Sequence, residues 1–235
     1  MELGGYIGYS CILFADAQRK AGGKKYFSLE RNPEFAAVIS SLVDLAGLGD
    51  LVKVIVGPSD TAIKRLHSSG ALKHIDLMFL DHYKPAYKTD LKLCEQLGLV
   101  TPGSVLAADN VIKPGNPPYL EYVRASVADK KAALEKQEQA DGTGVDARFA
   151  DRTSNQYAKR EGQEKLDTTV KGNPKLVYES KLVNSYEPTG EPVCTAWPDH
   201  ESARLLTVPH RTAWRSRGAL GKRSSRRTQV AWNCI

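Results

Sequence analysis

Four short apolar runs, residues 26–29, 51–56, 75–80 and 105–108, punctuate the first half of the chain. Between them lie residues 32–46, 59–69 and 84–97, where apolar positions recur at helical spacing. Uninterrupted apolar runs of this length suit strands buried on both faces, whereas a strand with one wet face would alternate. Strands alternating with helices predict βαβ units. Their right-handed crossovers build an α/β, doubly wound, mostly parallel sheet of Rossmann-like kind. The helix starts carry their own signals. Asn32-Pro33-Glu34 supplies a cap, a first-turn proline and an acid. Ser59-Asp60 can cap the second helix, and Lys84-Pro85-Ala86 opens the third with a proline that a first turn tolerates.

The pattern breaks at about residue 128. Residues 128–172 are dominated by charged and small polar side chains and read as an insertion that is helical at its start. Residues 176–183 restore a strand signal, and beyond Pro192 the pattern fails again. The expected organisation is one domain over residues 1–192 and a basic, disordered tail over 193–235. A stretch at 205–208 is apolar enough for a short strand, but its flanks do not recommend it.

Composition fits that division. At 235 residues, 41% of them hydrophobic, the chain can bury one real core. No apolar run is long enough to cross a bilayer, and the first residues lack the basic and apolar blocks of a secretory leader. The four cysteines, Cys11, Cys94, Cys194 and Cys234, are scattered and read as reduced thiols. A cytoplasmic protein with no membrane partner follows as the expectation. The net charge of +6 invites a nucleic-acid reading, but its distribution argues against one. After Glu201 there is no acid, while Arg204, Arg211, Arg215, Arg217, Lys222, Arg223, Arg226 and Arg227 all fall there. Without those eight the remainder is negative, so no specific nucleic-acid binding is expected of the domain.

Four motifs carry chemistry. Glu2-Leu3-Gly4-Gly5-Tyr6-Ile7-Gly8-Tyr9-Ser10 stands where a strand turns into a helix. Its glycines permit close backbone approach, and the helix start offers free N–H groups to an anion; a tight turn without a ligand would read the same. Glu30 closes the next strand, where a carboxylate can accept from ribose hydroxyls, though a surface acid near a helix start is the plainer account. Phe79-Leu80-Asp81-His82-Tyr83-Lys84 and Ala107-Ala108-Asp109-Asn110 both follow apolar runs at the strand ends where open α/β sheets place ligands. Asp81, Asp109 and Asn110 would form an all-oxygen set suited to magnesium, and two such carboxylates repel unless a cation lies between them. Helix capping by Asp81 and Asn110 is the competing account. Lys84 beside that set can take a proton from a hydroxyl, or can be an ordinary lysine on a first helical turn.

Taken together, the glycine motif, Val56-Gly57 with Ser59, the Asp-His-Tyr-Lys run and Ala-Asp-Asn-Val-Ile-Lys-Pro-Gly resemble the catechol O-methyltransferase family of class I methyltransferases. The likeness runs over residues 1–123 and weakly over 176–191. It implies that Glu2, Gly4, Tyr6 and Ser10 line the methionine part of S-adenosyl-L-methionine. Glu30 would hold the ribose, and Ser59 and His82 would flank the adenine. It implies Mg2+ on Asp81, Asp109 and Asn110, Lys84 as general base, and Glu187 on the second hydroxyl of a small-molecule catechol substrate. A monomer is expected. Tyr83 stands where animal members commonly carry tryptophan. An inactive remnant and a caffeoyl-type enzyme are the alternatives, and the Asp-His-Tyr-Lys run favours the catechol branch.

Two departures from the family are expected to matter. Met1 falls inside the glycine motif, so the sheet is expected to be incomplete at its first strand. The tail after Pro192 is expected to leave it incomplete at its last.

Overall fold

The computed structural model describes residues 1–139, 166–167, 169–183 and 204–207. Among the described residues seven strands form one sheet: β1 (Glu2–Leu3), β2 (Tyr26–Glu30), β3 (Val52–Val56), β4 (Leu77–Leu80), β5 (Val105–Ala108), β6 (Glu179–Leu182) and β7 (Arg204–Thr207). The helices are α1 (Tyr9–Lys20), α2 (Pro33–Leu45), α3 (Ser59–Ser68), α4 (Ala86–Gln96), α5 (Pro117–Arg124) and α6 (Val127–Gln139). A π-helical turn, Val111–Gly115, precedes α5.

Spatial order is β3-β2-β1-β4-β5-β7-β6. The first five strands are parallel, and β7 runs antiparallel between β5 and β6. The doubly wound expectation therefore holds, and the chain reverses its direction of travel across the sheet between β1 and β4. Crevices at such a reversal, outside the carboxyl ends of the strands, are where these sheets bind ligands.

The expected gap at the last strand does not occur. Arg204–Thr207 pairs with both β5 and β6, beyond the expected domain boundary at residue 192. A ladder is made by backbone groups, so the polar flanks that argued against a strand do not prevent one. β1 is two residues long, yet Leu3 pairs with Leu29 on one side and Leu80 on the other. Leu3 is fully buried, which fixes the register of the three central strands.

Side-chain alternation sorts the core. Leu3, Leu29, Met78, Leu80 and Leu106 pack with Ile63 and Leu66 of α3, Tyr87 and Leu91 of α4, and Tyr119 of α5. Tyr26 and Val52 pack with Cys11 and Ala15 of α1 and Ile39 and Val43 of α2. Glu2 and Ser28, register partners, are both buried among these side chains. Cys11 and Cys94 are free and buried, as thiols read from their spacing should be.

The cap of α2 forms as its sequence predicts: Asn32 accepts from the Glu34 and Phe35 N–H groups, and Pro33 opens the helix. The cap of α3 does not. Pro58 occupies the cap position, and Ser59 is already helical with its hydroxyl engaged elsewhere.

Candidate active site

The glycine turn links β1 to α1. Gly4, Tyr6 and Gly8 all have positive φ, at 91°, 47° and 90°. At Gly4 the reason is also contact: a Cβ there would lie 2.3 Å from the Asp81 carbonyl oxygen. The turn is thus seated directly on the end of β4. Non-glycine residues at positive φ are uncommon, and Tyr6 is held there by its N–H donating to Glu30 Oε2 at 2.8 Å. The other Glu30 oxygen accepts from the Asn32 N–H at 2.8 Å. Glu30 therefore braces the turn from the tip of β2. The Tyr6 ring is exposed and meets Phe35 edge-on.

Glu2 is expected among the lining residues, but the structure puts it beneath the turn, wholly covered. Its carboxylate accepts from the hydroxyls of Ser10, at 2.8 Å, and Ser28. Burial pushes its carboxyl above the usual range, and the serine hydrogen bonds oppose that. Ser10 itself is half-buried at the start of α1.

Asp81 and Asp109 leave the ends of adjacent strands. Asp81 N–H donates to Leu3 O and Asp109 N–H to Leu80 O, so both tips are pinned by the ladder. Burial raises the Asp81 carboxyl and the Asp109 charge raises it further, while Lys84 opposes. The two acids are therefore electrostatic neighbours. The Asp81 side chain keeps 38% of its surface, so the pair stays open to a ligand. Lys84 is buried, and its Nζ donates to Asp81 Oδ1 at 2.9 Å and to the Tyr87 hydroxyl at 2.8 Å. Tyr87 donates onward to the Asp109 carbonyl, and the Asn116 amide donates to the Lys84 carbonyl at 2.7 Å.

The capping account of these acids is not what forms. The cap position of α4 is Pro85, with no side-chain cap, and Asn110 makes no side-chain cap to the π-helical turn. Asn110 sits at φ 55°, its N–H donating to Asp109 Oδ1 at 2.7 Å.

Ser59, at the start of α3, and His82, after β4, meet on a residue that the motif reading passes over. Asp90 Oδ2 accepts from Ser59 Oγ at 2.5 Å and pairs with His82 Nε2 at 2.8 Å. Asp90 is buried at 2% exposure. The His82 ring lies stacked on Tyr87, and its Nδ1 is buried without a partner among the described residues. The available signal was positional. Ala86, Asp90 and Leu93 fall on one helical stripe, and an acid on a buried stripe needs a partner. Tyr87 and Asn116 had no such signal, because an aromatic on a buried helix face usually reads as core. Glu187 lies outside the described residues.

A divalent cation fits this donor set. Two carboxylates close enough for the Asp109 charge to raise Asp81, with an amide next in the chain, are the hard oxygen donors such an ion takes. Among the described residues no three His, Cys, Asp or Glu side chains gather to hold a metal.

Comparison with known proteins adds the following. The Methyltransf_24 family model, a methyltransferase domain, matches residues 1–111. Catechol O-methyltransferase of Bos taurus is 42% identical over 126 residues, 54% of this chain and 46% of that protein. Catechol O-methyltransferase B of Danio rerio is 41% identical over 146 residues, 60% of this chain and 54% of that protein. Transmembrane O-methyltransferase of Homo sapiens is 38% identical over 126 residues, 53% of this chain and 43% of that protein. The chain spans about half the length of the curated relatives it matches. Among the described residues no helix is long and apolar enough to cross a membrane.

Proposed function

We propose that this chain, a catechol O-methyltransferase-like class I methyltransferase, transfers the methyl group of S-adenosyl-L-methionine to a catechol hydroxyl with the help of Mg2+. The observation that carries the reading is the grouping beside the glycine turn: Asp81 and Asp109 on neighbouring strand tips, with the buried Lys84 ammonium against Asp81.

The roles are those that the resemblance implies. The glycine turn and Ser10 take the methionine end of the cofactor, and Glu30 takes the ribose with the lone pairs left by Tyr6 and Asn32. Ser59 and His82 flank the adenine. Asp81, Asp109 and Asn110 hold magnesium. When bound, the ion supplies Lewis acidity that lowers the pKa of a coordinated hydroxyl, and the cofactor supplies a sulfonium methyl. Lys84 Nζ, as the neutral amine that a neighbouring divalent charge would favour, is the atom that takes the hydroxyl proton, kept in place by Asp81 and Tyr87. The Asn116 amide fixes the Lys84 backbone, so the base enters the crevice from a rigid loop. Strand tips pinned by the ladder and a braced turn let positioning, rather than new bonding, supply most of the acceleration.

Calorimetric titration with S-adenosyl-L-methionine and Mg2+, followed by a methyl-transfer assay on a catechol, tests the reading. Asp109→Ala is expected to lower magnesium-dependent turnover by about 10²-fold or more. Retained turnover in that variant would remove the metal assignment.

A further inference from the structure

Asn116 stands at the cap position of α5, where an asparagine ordinarily uses its side chain on its own helix. Here it does not. The first two residues of the helix are Pro117 and Pro118, which have no N–H to give, and the Asn116 side chain makes no cap hydrogen bond. Its amide crosses instead to a different loop and donates to the Lys84 carbonyl at 2.7 Å. The residue is 1% exposed, so this bond is shielded from water. Its backbone is engaged as well. The N–H closes the π-helical turn on the Val111 carbonyl at 2.9 Å, and the carbonyl accepts from the Leu120 N–H at 3.1 Å. One residue thus joins the turn that follows Asp109 and Asn110, the start of α5, and the loop that carries Asp81 and Lys84.

We propose that Asn116 is a positioning residue that holds the Lys84 backbone in register with the loop carrying Asp109 and Asn110, and so sets the distance between the base and the acids it works beside. The proposal rests on the methyltransferase reading above and names what fixes the spacing of its parts. The ladder between β4 and β5 runs out at the Asp109 N–H on the Leu80 carbonyl. Past that point the two loops are joined by the Tyr87 hydroxyl on the Asp109 carbonyl, at 3.3 Å, and by the shorter Asn116 bond. At the Lys84 end the carbonyl also accepts from the Tyr87 N–H, but at 3.3 Å. Without the amide that buried carbonyl keeps the longer bond, and the loop can shift. A displacement of about 1 Å at a reacting group can lower a rate by about 10²-fold. Asn116 acts through the Lys84 backbone rather than by contact with a ligand.

The test is steady-state methyl transfer to a catechol, together with amide hydrogen exchange over residues 82–87, on the full chain and on Asn116→Ser and Asn116→Ala. Serine is a good cap residue but carries no amide, so it keeps α5 and removes the tie. Its melting temperature is expected within about 4 °C of wild type. Its kcat is expected to fall about 10-fold or more, with KM for the catechol and Kd for S-adenosylhomocysteine within about threefold. Exchange over residues 82–87 is expected to quicken by about 10-fold, with that of α2 unchanged. Asn116→Ala is expected to show the same split, and it stands in for Asn116→Ser if that variant does not fold. A folded variant with wild-type kcat, or one whose KM rises while kcat holds, overturns the proposal and leaves the methyltransferase reading intact. So does unchanged exchange over residues 82–87. A wild type that transfers no methyl group overturns both.

Discussion

At the C-terminal end of α4 the Glu95 carboxylate accepts from the Tyr122 and Tyr178 hydroxyls and from the Asn173 N–H. Lys130 lies over both tyrosine rings, 4.4 Å and 4.7 Å from their centroids, and donates to the Leu176 carbonyl. At the N-terminal end of the same helix Lys84 pairs with Asp81, the Asp109 charge lies close enough to raise Asp81, and His82 Nδ1 has no partner among the described residues. Both clusters are polar and both adjoin α4, but the rear one is buried while Asp81 at the front is exposed. The rear one completes its carboxylate with donors from α5 and from the chain entering β6, and Lys130 of α6 lies over both tyrosine rings, so the cluster fastens all three to α4. The front one leaves acceptors open and negative charge in excess. Buried polar groups left short in a folded protein need an explanation, and at a strand-end crevice a ligand is the natural one.

If that contrast is right, the largest effect of any single change should come from the rear. Glu95→Ala leaves two hydroxyls and an N–H buried without an acceptor beside two buried lysines. It is expected to cost about 3–5 kcal/mol of stability, read as a fall in the urea midpoint. The folded fraction should bind cofactor within about twofold of wild type. A loss below about 1 kcal/mol would break the comparison, since the rear cluster would then hold nothing together. The front should behave in the opposite way. Lys84→Met keeps an apolar stem in the buried slot and leaves Asp81 to solvent. Turnover is expected to fall by about 10²-fold, or about 2.7 kcal/mol in the barrier, with stability changed by less than about 1 kcal/mol. Wild-type turnover in Lys84→Met would remove Lys84 as the base.

The same contrast explains what could be read in the sequence. Strands and helices were legible where apolar period decides, as at β2, β3, β5 and α2, whose bounds lie within a residue or two of the pattern. β7 was not, because pairing with β5 and β6 is a long-range backbone event that its own flanks do not encode. Asp81, Lys84, Asp109 and Asn110 were legible because each follows directly on a buried strand. Asp90 lies inside a helix, where its partners come from positions 31 and 8 residues away. Glu2 shows the limit of a motif: its identity was read from the glycine run, but its burial beneath the turn depends on Ser10 and Ser28 packing over it.

The smallest expected effect concerns how each cluster handles surplus charge. At the front, two carboxylates against one ammonium leave a negative excess that a cation can neutralise. At the rear, Lys92 and Lys130 both lie close enough to the Glu95 carboxylate for it to raise them. Burial there pushes Lys92 down to about 8, with Lys88 and Lys130 adding to the effect and Glu95 opposing it. The folded chain thus releases this proton at a lower pH than the unfolded chain, whose lysine keeps its ordinary value near 10.5. Between those two values the unfolded state binds more protons, so stability from this group rises with pH; below about 8 the burial penalty is fully felt. Wild type compared with Lys92→Met by urea unfolding at pH 7.5 and pH 9.5 should show the difference narrowing in favour of wild type at the higher pH, by about 2 kcal/mol. A difference that stays constant, or widens against wild type, would mean that Lys92 remains charged in the fold, and that the rear cluster, like the front, waits on a counterion to balance it.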